Sequence, residues 1–199
     1  MRHRLRATVA DAMTLGNGIA GYLSIVAWSV ELGPLAGLED RYAAGILIAV
    51  GVILDGLDGI VARKWGSTGL GNELDAMCDA ITFCVAPAVF ILEMHTYARG
   101  TWLGAFAAGA AFVLIVAGML RLARERTRDG ATFAGVPTPW SAALITIALL
   151  LGWDGAPVLF GVLALAALNV STIPYPKSRG ARSRGCVPAS ASRRAAAWA

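Results

Sequence analysis

Charged residues are scarce in this sequence: Asp, Glu, Lys and Arg together make up 15% of its 199 residues. Apolar residues make up 57%, and the mean hydropathy is +0.63. Soluble globular domains carry about 25% charged residues and fewer apolar ones. The composition therefore excludes an ordinary soluble domain and predicts an integral membrane protein.

Cysteine is also rare, with three copies in the chain. Cys78 and Cys84 fall within one apolar stretch, and Cys186 lies near the C-terminus. This pattern matches neither a disulfide framework nor the ligand spacing of a zinc site. We interpret the cysteines of the apolar stretch as small buried side chains.

Long apolar stretches, in contrast, are abundant. A transmembrane helix needs about 20 mostly apolar residues. Six stretches reach or approach that length, near residues 14–32, 42–62, 71–93, 101–121, 138–153 and 156–174. We therefore predict an all-α fold with six transmembrane helices, of which the fifth is the shortest.

The basic residues predict the orientation of these helices, because Lys and Arg beside a transmembrane helix are retained on the cytoplasmic side. With six spans both termini lie on one side, and all but two of the 17 Lys and Arg residues fall there. The two exceptions are Arg41 and Arg99. We predict a multi-pass protein of the cytoplasmic membrane with both termini in the cytoplasm. The net charge of +4 reflects this topology and an attraction to anionic lipid, and it does not indicate a nucleic acid partner.

The end of the chain differs from the rest. Residues 176–199 are rich in Arg, Ser, Ala and Gly and show no apolar periodicity. Such composition is typical of disordered segments, because it cannot bury enough apolar surface to fold. We predict a membrane domain over 1–175 and a basic, disordered cytoplasmic tail over 176–199.

Four aspartates lie at the adjoining ends of the second and third predicted helices. Asp55 and Asp58 are three residues apart, and Asp75 and Asp79 are four apart. Each spacing places two carboxylates on one face of a helix. A short turn-rich segment joins the helices, so we expect an antiparallel hairpin that brings both pairs together.

Such a group of acids needs cations. An ionised Asp at the centre of a membrane helix costs about 2.5–3.5 kcal/mol on insertion scales, and neighbouring carboxylates also repel one another. Oxygen-only ligands favour Mg²⁺ or Mn²⁺ over zinc. Four carboxylates can hold two such ions, the arrangement that steadies attacking and leaving oxygens in phosphoryl transfer. We predict a two-ion magnesium or manganese site.

Small residues and one cation accompany the acids on the second helix. Gly56, Gly59 and Ala62 leave a strip without bulky side chains. Such a strip allows either close helix packing or the approach of a nucleotide, which we favour beside four aspartates. Arg63 offers a guanidinium fork that can bind phosphate.

The segment DGLDGIVARKWGSTGLGNELDAMCD at 55–79 resembles the signature of the CDP-alcohol phosphotransferases. The matching positions are Asp55, Asp58, Gly59, Ala62, Arg63, Gly71, Asp75 and Asp79. The resemblance implies a six-helix membrane enzyme, commonly a homodimer. Such an enzyme moves a phosphatidyl-type group from a CDP-linked lipid to an alcohol and releases CMP.

The resemblance also implies roles for the residues. All four aspartates would bind the two metal ions, and Asp79 would in addition act as general base. The CDP site would be lined by Asp55, Gly56, Asp58, Gly59, Ala62, Arg63, Gly71 and Asp75. Thr14 and Asn17, in the stretch TLGN, are candidates either for a phosphate contact at that site or for hydrogen bonds between helices.

Other stretches are similar to the phosphatidylserine synthase branch and its archaeal counterpart, the archaetidylserine synthases. They are ITFCVAPA at 81–88, RLARER at 121–126 with FAGVPTP at 133–139, and VSTIPYPK at 170–177. The chain departs from that branch at Ala76, where the branch often has Ser, and at Cys84, where it often has Gly. The resemblance implies L-serine as the acceptor alcohol.

L-serine carries a carboxylate and an ammonium group, so its site needs a cation and an acceptor of hydrogen bonds. Arg121 and Arg124, three residues apart at the cytoplasmic end of the fourth helix, could supply the cation, or could be positive-inside anchors. Glycerol 3-phosphate or inositol phosphate is the alternative acceptor. A cation transporter is a distant alternative, because transport favours acids near the bilayer midplane.

Overall fold

The computed structural model of the chain describes residues 2–29, 39–65, 69–127, 132–171 and 174–176. Its α-helices are α1 (Arg2–Ser29), α2 (Asp40–Trp65), α3 (Gly69–Asp79), α4 (Ala86–Met94), α5 (Trp102–Thr127), α6 (Thr138–Leu150) and α7 (Gly155–Val170). A π-helical segment, Ala80–Val85, joins α3 to α4, and a short 3₁₀ helix, Thr96–Ala98, follows α4. The predicted basic tail lies outside the described residues except for Pro176.

Three helical segments in the described part of the chain are long and apolar enough to cross a bilayer. They are Asp40–Val61, Glu73–Met94 and Trp102–Glu125. Helices α6 and α7 are apolar but shorter. The predicted helical membrane fold is therefore confirmed in its class, whereas the count of six spans and the cytoplasmic termini stay predictions.

The helix boundaries agree broadly with the apolar stretches, with one large difference. The first predicted span begins at residue 14, but α1 already begins at Arg2. The first residues of this helix are polar and include three arginines and Asp11. Hydropathy alone therefore assigns these residues to a segment that precedes the transmembrane span. Helix α6 begins at Thr138, directly after Pro137, and Pro139 lies in its first turn, where the missing backbone N–H of proline breaks no hydrogen bond within the helix.

The third predicted span is one continuous helical segment, with π-helical geometry in its middle. The backbone N–H of Ala86 donates to the carbonyl of Ile81, five residues earlier. A π-helical segment changes the direction of the side chains that follow it, and such segments are frequent at functional sites. Here the segment begins directly after Asp79 and buries Thr82, Phe83 and Cys84.

Glycines let α1 and α2 approach this π-helical segment closely. A Cβ atom on Gly21 of α1 would collide with Thr82, and one on Gly51 of α2 would lie 2.5 Å from Thr82 Cγ2. The Thr82 hydroxyl donates a hydrogen bond of 2.9 Å to the carbonyl of Asn17. Small residues that bring backbones together are the usual means of helix association in membranes. The glycines therefore place α1 against the acid-bearing ends of α2 and α3.

The other helices form an apolar core around α4. Its buried members include Phe90, Ile91, Leu114, Leu149 and Leu159, from α4, α5, α6 and α7. Hydrogen bonds inside this part of the bundle are few but specific: Ser141 of α6 donates to Asn169 Oδ1 of α7 at 2.7 Å. The core fixes the ends of α5, α6 and α7 relative to one another.

A short antiparallel ladder connects the loop after α5 to the segment after α7. Strand β1 (Thr132–Ala134) pairs with β2 (Pro174–Pro176). Next to it, Gly135 adopts a φ of +80°, and a Cβ atom there would lie 2.5 Å from the Asn169 carbonyl. Only glycine suits both the backbone conformation and the space. The ladder is a small exception to the predicted all-α fold. It brings together FAGVPTP and VSTIPYPK, two of the stretches that resemble the phosphatidylserine synthase branch.

The close approach at Gly51 gives a test of this packing. Gly51→Ala adds a Cβ atom against Thr82, so we expect destabilisation of about 1–3 kcal/mol from overpacking. The measurement is the midpoint of thermal unfolding in detergent. Gly109→Ala is the matched control, because no described atom lies within 4 Å of a Cβ atom there. Equal unfolding midpoints for the two variants would contradict the packing of α2 against the π-helical segment.

Candidate active site

Three aspartates from two helices meet at one end of the bundle. Asp55 comes from α2, and Asp75 and Asp79 come from α3. One carboxylate oxygen of each lies within 4.8 Å of the others. Asp79 is 8% exposed, and the other two are half-buried. The predicted hairpin of α2 and α3 therefore brings three of the four aspartates into one group.

This group fits a divalent cation. Three ionised carboxylates at such separations repel one another strongly when partly buried, and a bound cation removes the repulsion. The ligand atoms are all carboxylate oxygens, the type that Mg²⁺ and Mn²⁺ prefer. Asp55, Asp75 and Asp79 are thus the described residues that would hold the metal.

Asp58, the fourth predicted ligand, lies outside the group of three. It is 6% exposed and accepts a hydrogen bond of 2.9 Å from the Thr14 hydroxyl of α1. It remains within electrostatic range of Asp55 and Asp75. Its role as a metal ligand stays a prediction.

Helix α1 supplies a second donor, to Asp79. The side-chain Nδ2 of Asn17 donates to Asp79 Oδ1 at 2.9 Å, and Asn17 is fully buried. Of the two interpretations offered by the sequence for Thr14 and Asn17, the structure shows hydrogen bonds between helices. Their partners are the acids themselves. Donors that orient a metal-binding carboxylate tune its affinity and direction, so α1 is part of the site.

The structure describes the surroundings of only some of the residues predicted to line a nucleotide site. Gly56 is exposed, and no described atom lies within 4 Å of a Cβ atom built on it. Gly59 is half-buried on the same helix, and Gly71 is buried in α3. Ala62 and Arg63 belong to α2, but their side chains lie outside the described part of the structure. The open face at Gly56 agrees with the approach of a flat or bulky ligand.

Arg121 is buried at the end of α5, with 4% of it exposed. Its Nη1 donates to the Thr138 hydroxyl at 3.3 Å, and its Nη2 donates to Glu125 Oε1 at 2.8 Å. Its Nε–H is buried and has no hydrogen-bond partner among the described residues. A positive-inside anchor would face lipid headgroups or water, so this arginine is not a simple anchor.

Arg124, the other predicted acceptor-binding residue, has a different setting. It is exposed, and its Nη1 donates to the carbonyl of Val170 at 3.0 Å. Val170 is the last residue of α7, where carbonyls lack partners within the helix. Arg124 therefore caps α7, and a role in acceptor binding stays a prediction.

Arg121, Glu125 and Thr138, here called the Arg121 cluster, lie near the aspartate group. Cys84 of the π-helical segment lies within electrostatic range of both Asp79 and Arg121. A Cβ atom on Gly118 of α5 would collide with Cys84, so α5 packs directly against that segment. Glu125 is in turn within electrostatic range of Asp55. The two clusters thus form adjoining parts of one polar region.

Sequence reasoning missed two members of this region, Glu125 and Thr138. The spacing of Arg121 and Glu125, four residues apart on a helix, is a recognised signal for an ion pair. The contact to Thr138 joins separate helices, and no local pattern predicts it.

The CDP-alcohol phosphatidyltransferase family model matches residues 7–173 of the chain. The chain belongs to this family. The match includes all four aspartates, Asn17 and the Arg121 cluster. The resemblance drawn from the aspartate signature is confirmed, and so is the prediction of an enzyme. The helical membrane segments agree with a membrane-bound phosphatidyltransferase.

The chain is similar to several curated proteins over most of its length. It is 34% identical to an archaetidylserine synthase of Methanothermobacter thermautotrophicus over 176 residues, which cover 85% of this chain and 70% of the relative. It is 30% identical to a CDP-diacylglycerol–serine O-phosphatidyltransferase of Bacillus subtilis, over 82% of this chain and 87% of the relative. A protein of the same name from Methanocaldococcus jannaschii is 31% identical, over 85% and 74% of the two chains.

Metal binding by this phosphatidyltransferase can be tested without turnover. A cation that binds the folded state raises its stability by mass action, so we expect Mg²⁺ or Mn²⁺ to raise the thermal unfolding midpoint in detergent. Asp75→Asn removes one ligand and should abolish most of that increase. Glu73→Gln is the matched control, because Glu73 is an exposed acid two residues away. A full increase in the Asp75 variant would contradict the site.

Proposed function

We propose that this chain transfers the phosphatidyl, or archaetidyl, group of a CDP-diradylglycerol to L-serine and releases CMP. The observation that carries the proposal is the meeting of Asp55, Asp75 and Asp79. The buried Arg121 supplies a cation on α5, the helix that packs against the π-helical segment after Asp79. The printed names of the relatives support serine as the acceptor. The acid group fits the diphosphate chemistry, and the arginine fits a carboxylate-bearing alcohol.

Two Mg²⁺ or Mn²⁺ ions, held by Asp55, Asp75, Asp79 and, as a fourth ligand, Asp58, would neutralise the charge of the diphosphate. Asp79 accepts the proton of the serine hydroxyl as general base. The Nδ2 group of Asn17 donates a hydrogen bond of 2.9 Å to Asp79 Oδ1 and so fixes the orientation of this carboxylate. The serine oxygen forms a bond to the lipid-linked phosphorus while the bond from that phosphorus to the CMP oxygen breaks.

The nucleotide lies along α2 in this proposal. The open face at Gly56, together with Gly59, Ala62 and Gly71, receives the cytidine and the diphosphate, and Arg63 binds a phosphate. The acceptor site is built on Arg121, whose Nε–H is free to bind the serine carboxylate. Arg124 contributes positive charge at the rim of that site.

The proposal includes the membrane arrangement. Residues 1–175 form a six-span domain in the cytoplasmic membrane, with both termini and the active site on the cytoplasmic side, and residues 176–199 form a basic tail. The distribution of Lys and Arg supports this orientation. Two copies of the chain form a homodimer.

The acceptor can be identified directly. We expect purified protein to release CMP from a radiolabelled CDP-diradylglycerol only when L-serine and Mg²⁺ or Mn²⁺ are present. Glycerol 3-phosphate and inositol phosphate serve as the competing alcohols, and a chelator serves as the metal control. Product formed with glycerol 3-phosphate and not with L-serine would refute the serine assignment.

The general base can be tested separately. Asp79→Asn keeps the size of the side chain and a hydrogen-bonding oxygen for Asn17, but it cannot take a proton. We expect turnover to fall by at least 100-fold, within the usual effect of a general base, while binding of the CDP-lipid stays measurable. Both are measured in detergent with the same protein. Turnover near that of the wild type would exclude Asp79 as the base.

A further inference from the structure

We infer that Glu125 determines acceptor specificity: its carboxylate binds the ammonium group of the amino-acid acceptor, while Arg121 binds the carboxylate of the same molecule. This inference rests on the proposed function, since it concerns the alcohol that the site accepts. It assigns a role to a residue outside the aspartate signature.

The exposure of the two side chains gives the first argument. Glu125 Oε1 lies 2.8 Å from Arg121 Nη2, yet 36% of the Glu125 side chain is exposed and only 4% of the Arg121 side chain. The ion pair therefore has a buried cation and an accessible anion. A small molecule arriving from outside the bundle meets Glu125 first and reaches the guanidinium beside it.

The second argument is the unfilled donor of Arg121. Its Nε–H is buried without a hydrogen-bond partner among the described residues, and a buried donor without a partner destabilises a folded protein. Guanidinium groups bind carboxylates through two parallel N–H bonds along one edge. An acceptor carboxylate that reaches Nε would satisfy this donor, which supports a carboxylate-bearing ligand at Arg121.

Position supplies the third argument. Glu125 is within electrostatic range of Asp55, and Cys84 is within electrostatic range of both Asp79 and Arg121. In the proposed arrangement, a molecule bound by Glu125 and Arg121 turns its remaining group toward the aspartates. In L-serine the ammonium, the carboxylate and the hydroxyl diverge from neighbouring carbons, which matches three such partners.

The opposite charges of Arg121 and Glu125 explain which acceptor alcohols the site would exclude. The Arg121–Glu125 pair is neutral as a whole, which suits a zwitterion. Glycerol 3-phosphate and inositol phosphate carry a phosphate dianion and no ammonium, so Glu125 would repel them and compete for Arg121. Specificity often depends on such a repulsive element as well as on attraction.

A simpler role for Glu125 is to hold Arg121 in place as a helical ion pair. The two roles differ for a ligand that lacks the ammonium group. If Glu125 only positions Arg121, its loss weakens every carboxylate ligand equally. If Glu125 binds ammonium, its loss weakens L-serine alone.

The test compares L-serine with 3-hydroxypropanoate, which keeps the hydroxyl and the carboxylate but has no ammonium. In Glu125→Gln we expect the KM for L-serine to rise by about 10- to 100-fold, the effect of one charge-assisted hydrogen bond, with the KM for CDP-lipid unchanged. The inhibition constant of 3-hydroxypropanoate against L-serine should stay equal or fall. Glu125→Asp, which restores a carboxylate, should recover part of the loss.

Glu93→Gln is the matched control, because Glu93, near the end of α4, forms another ion pair, with Arg99 at 3.5 Å. Its KM for L-serine should not change. Equal weakening of both ligands in Glu125→Gln, or no change in either, overturns this inference while the serine activity of the wild type stands. A wild-type protein that does not use L-serine overturns the proposed function and this inference together.

Discussion

The repulsion between carboxylates that share a partly buried site is the constraint on which the structure depends. Asp55, Asp75 and Asp79 place oxygens within 4.8 Å of one another in helices that are otherwise apolar. Such a group persists only where cations and hydrogen-bond donors compensate the charge. Helix α1 supplies a donor to Asp79 through Asn17, and a donor to Asp58, outside the group of three, through Thr14. The remaining negative charge fits a divalent cation, the type of ion that the family generally uses.

Close helix packing makes that compensation possible. Gly21 and Gly51 let α1 and α2 approach the π-helical segment, and the approach brings Asn17 within hydrogen-bonding distance of Asp79. The same segment presents Cys84 to α5, and Cys84 is within electrostatic range of both Asp79 and Arg121. Small residues thus have two effects in this fold: they allow the close packing that replaces hydrophobic driving force between helices, and they let α1, α2 and α5 approach the π-helical segment next to the aspartates.

Much of this was predictable from sequence, for identifiable reasons. The spacing of the aspartates along two helices fixed their faces, and the family signature identified the chemistry, because both depend on local periodicity. The first helix was harder: its arginine-rich start lowers the hydropathy, so the predicted span begins at residue 14, whereas α1 runs without a break from Arg2. Contacts between segments far apart in the sequence could not be predicted. Examples are the hydrogen bond from Arg121 to Thr138 and the β1–β2 ladder. The sequence suggested Arg121 as an acceptor ligand, but its burial and its unfilled Nε–H needed the three-dimensional structure.

The central claim is that the three grouped aspartates hold divalent metal at the site of phosphoryl transfer. Anomalous diffraction from crystals grown with Mn²⁺ and a CDP-lipid tests it most directly, since manganese can be located independently of any assumed chemistry. The account predicts anomalous density between Asp55, Asp75 and Asp79, next to the diphosphate. Manganese bound elsewhere, with nucleotide present and these carboxylates apart, would contradict it.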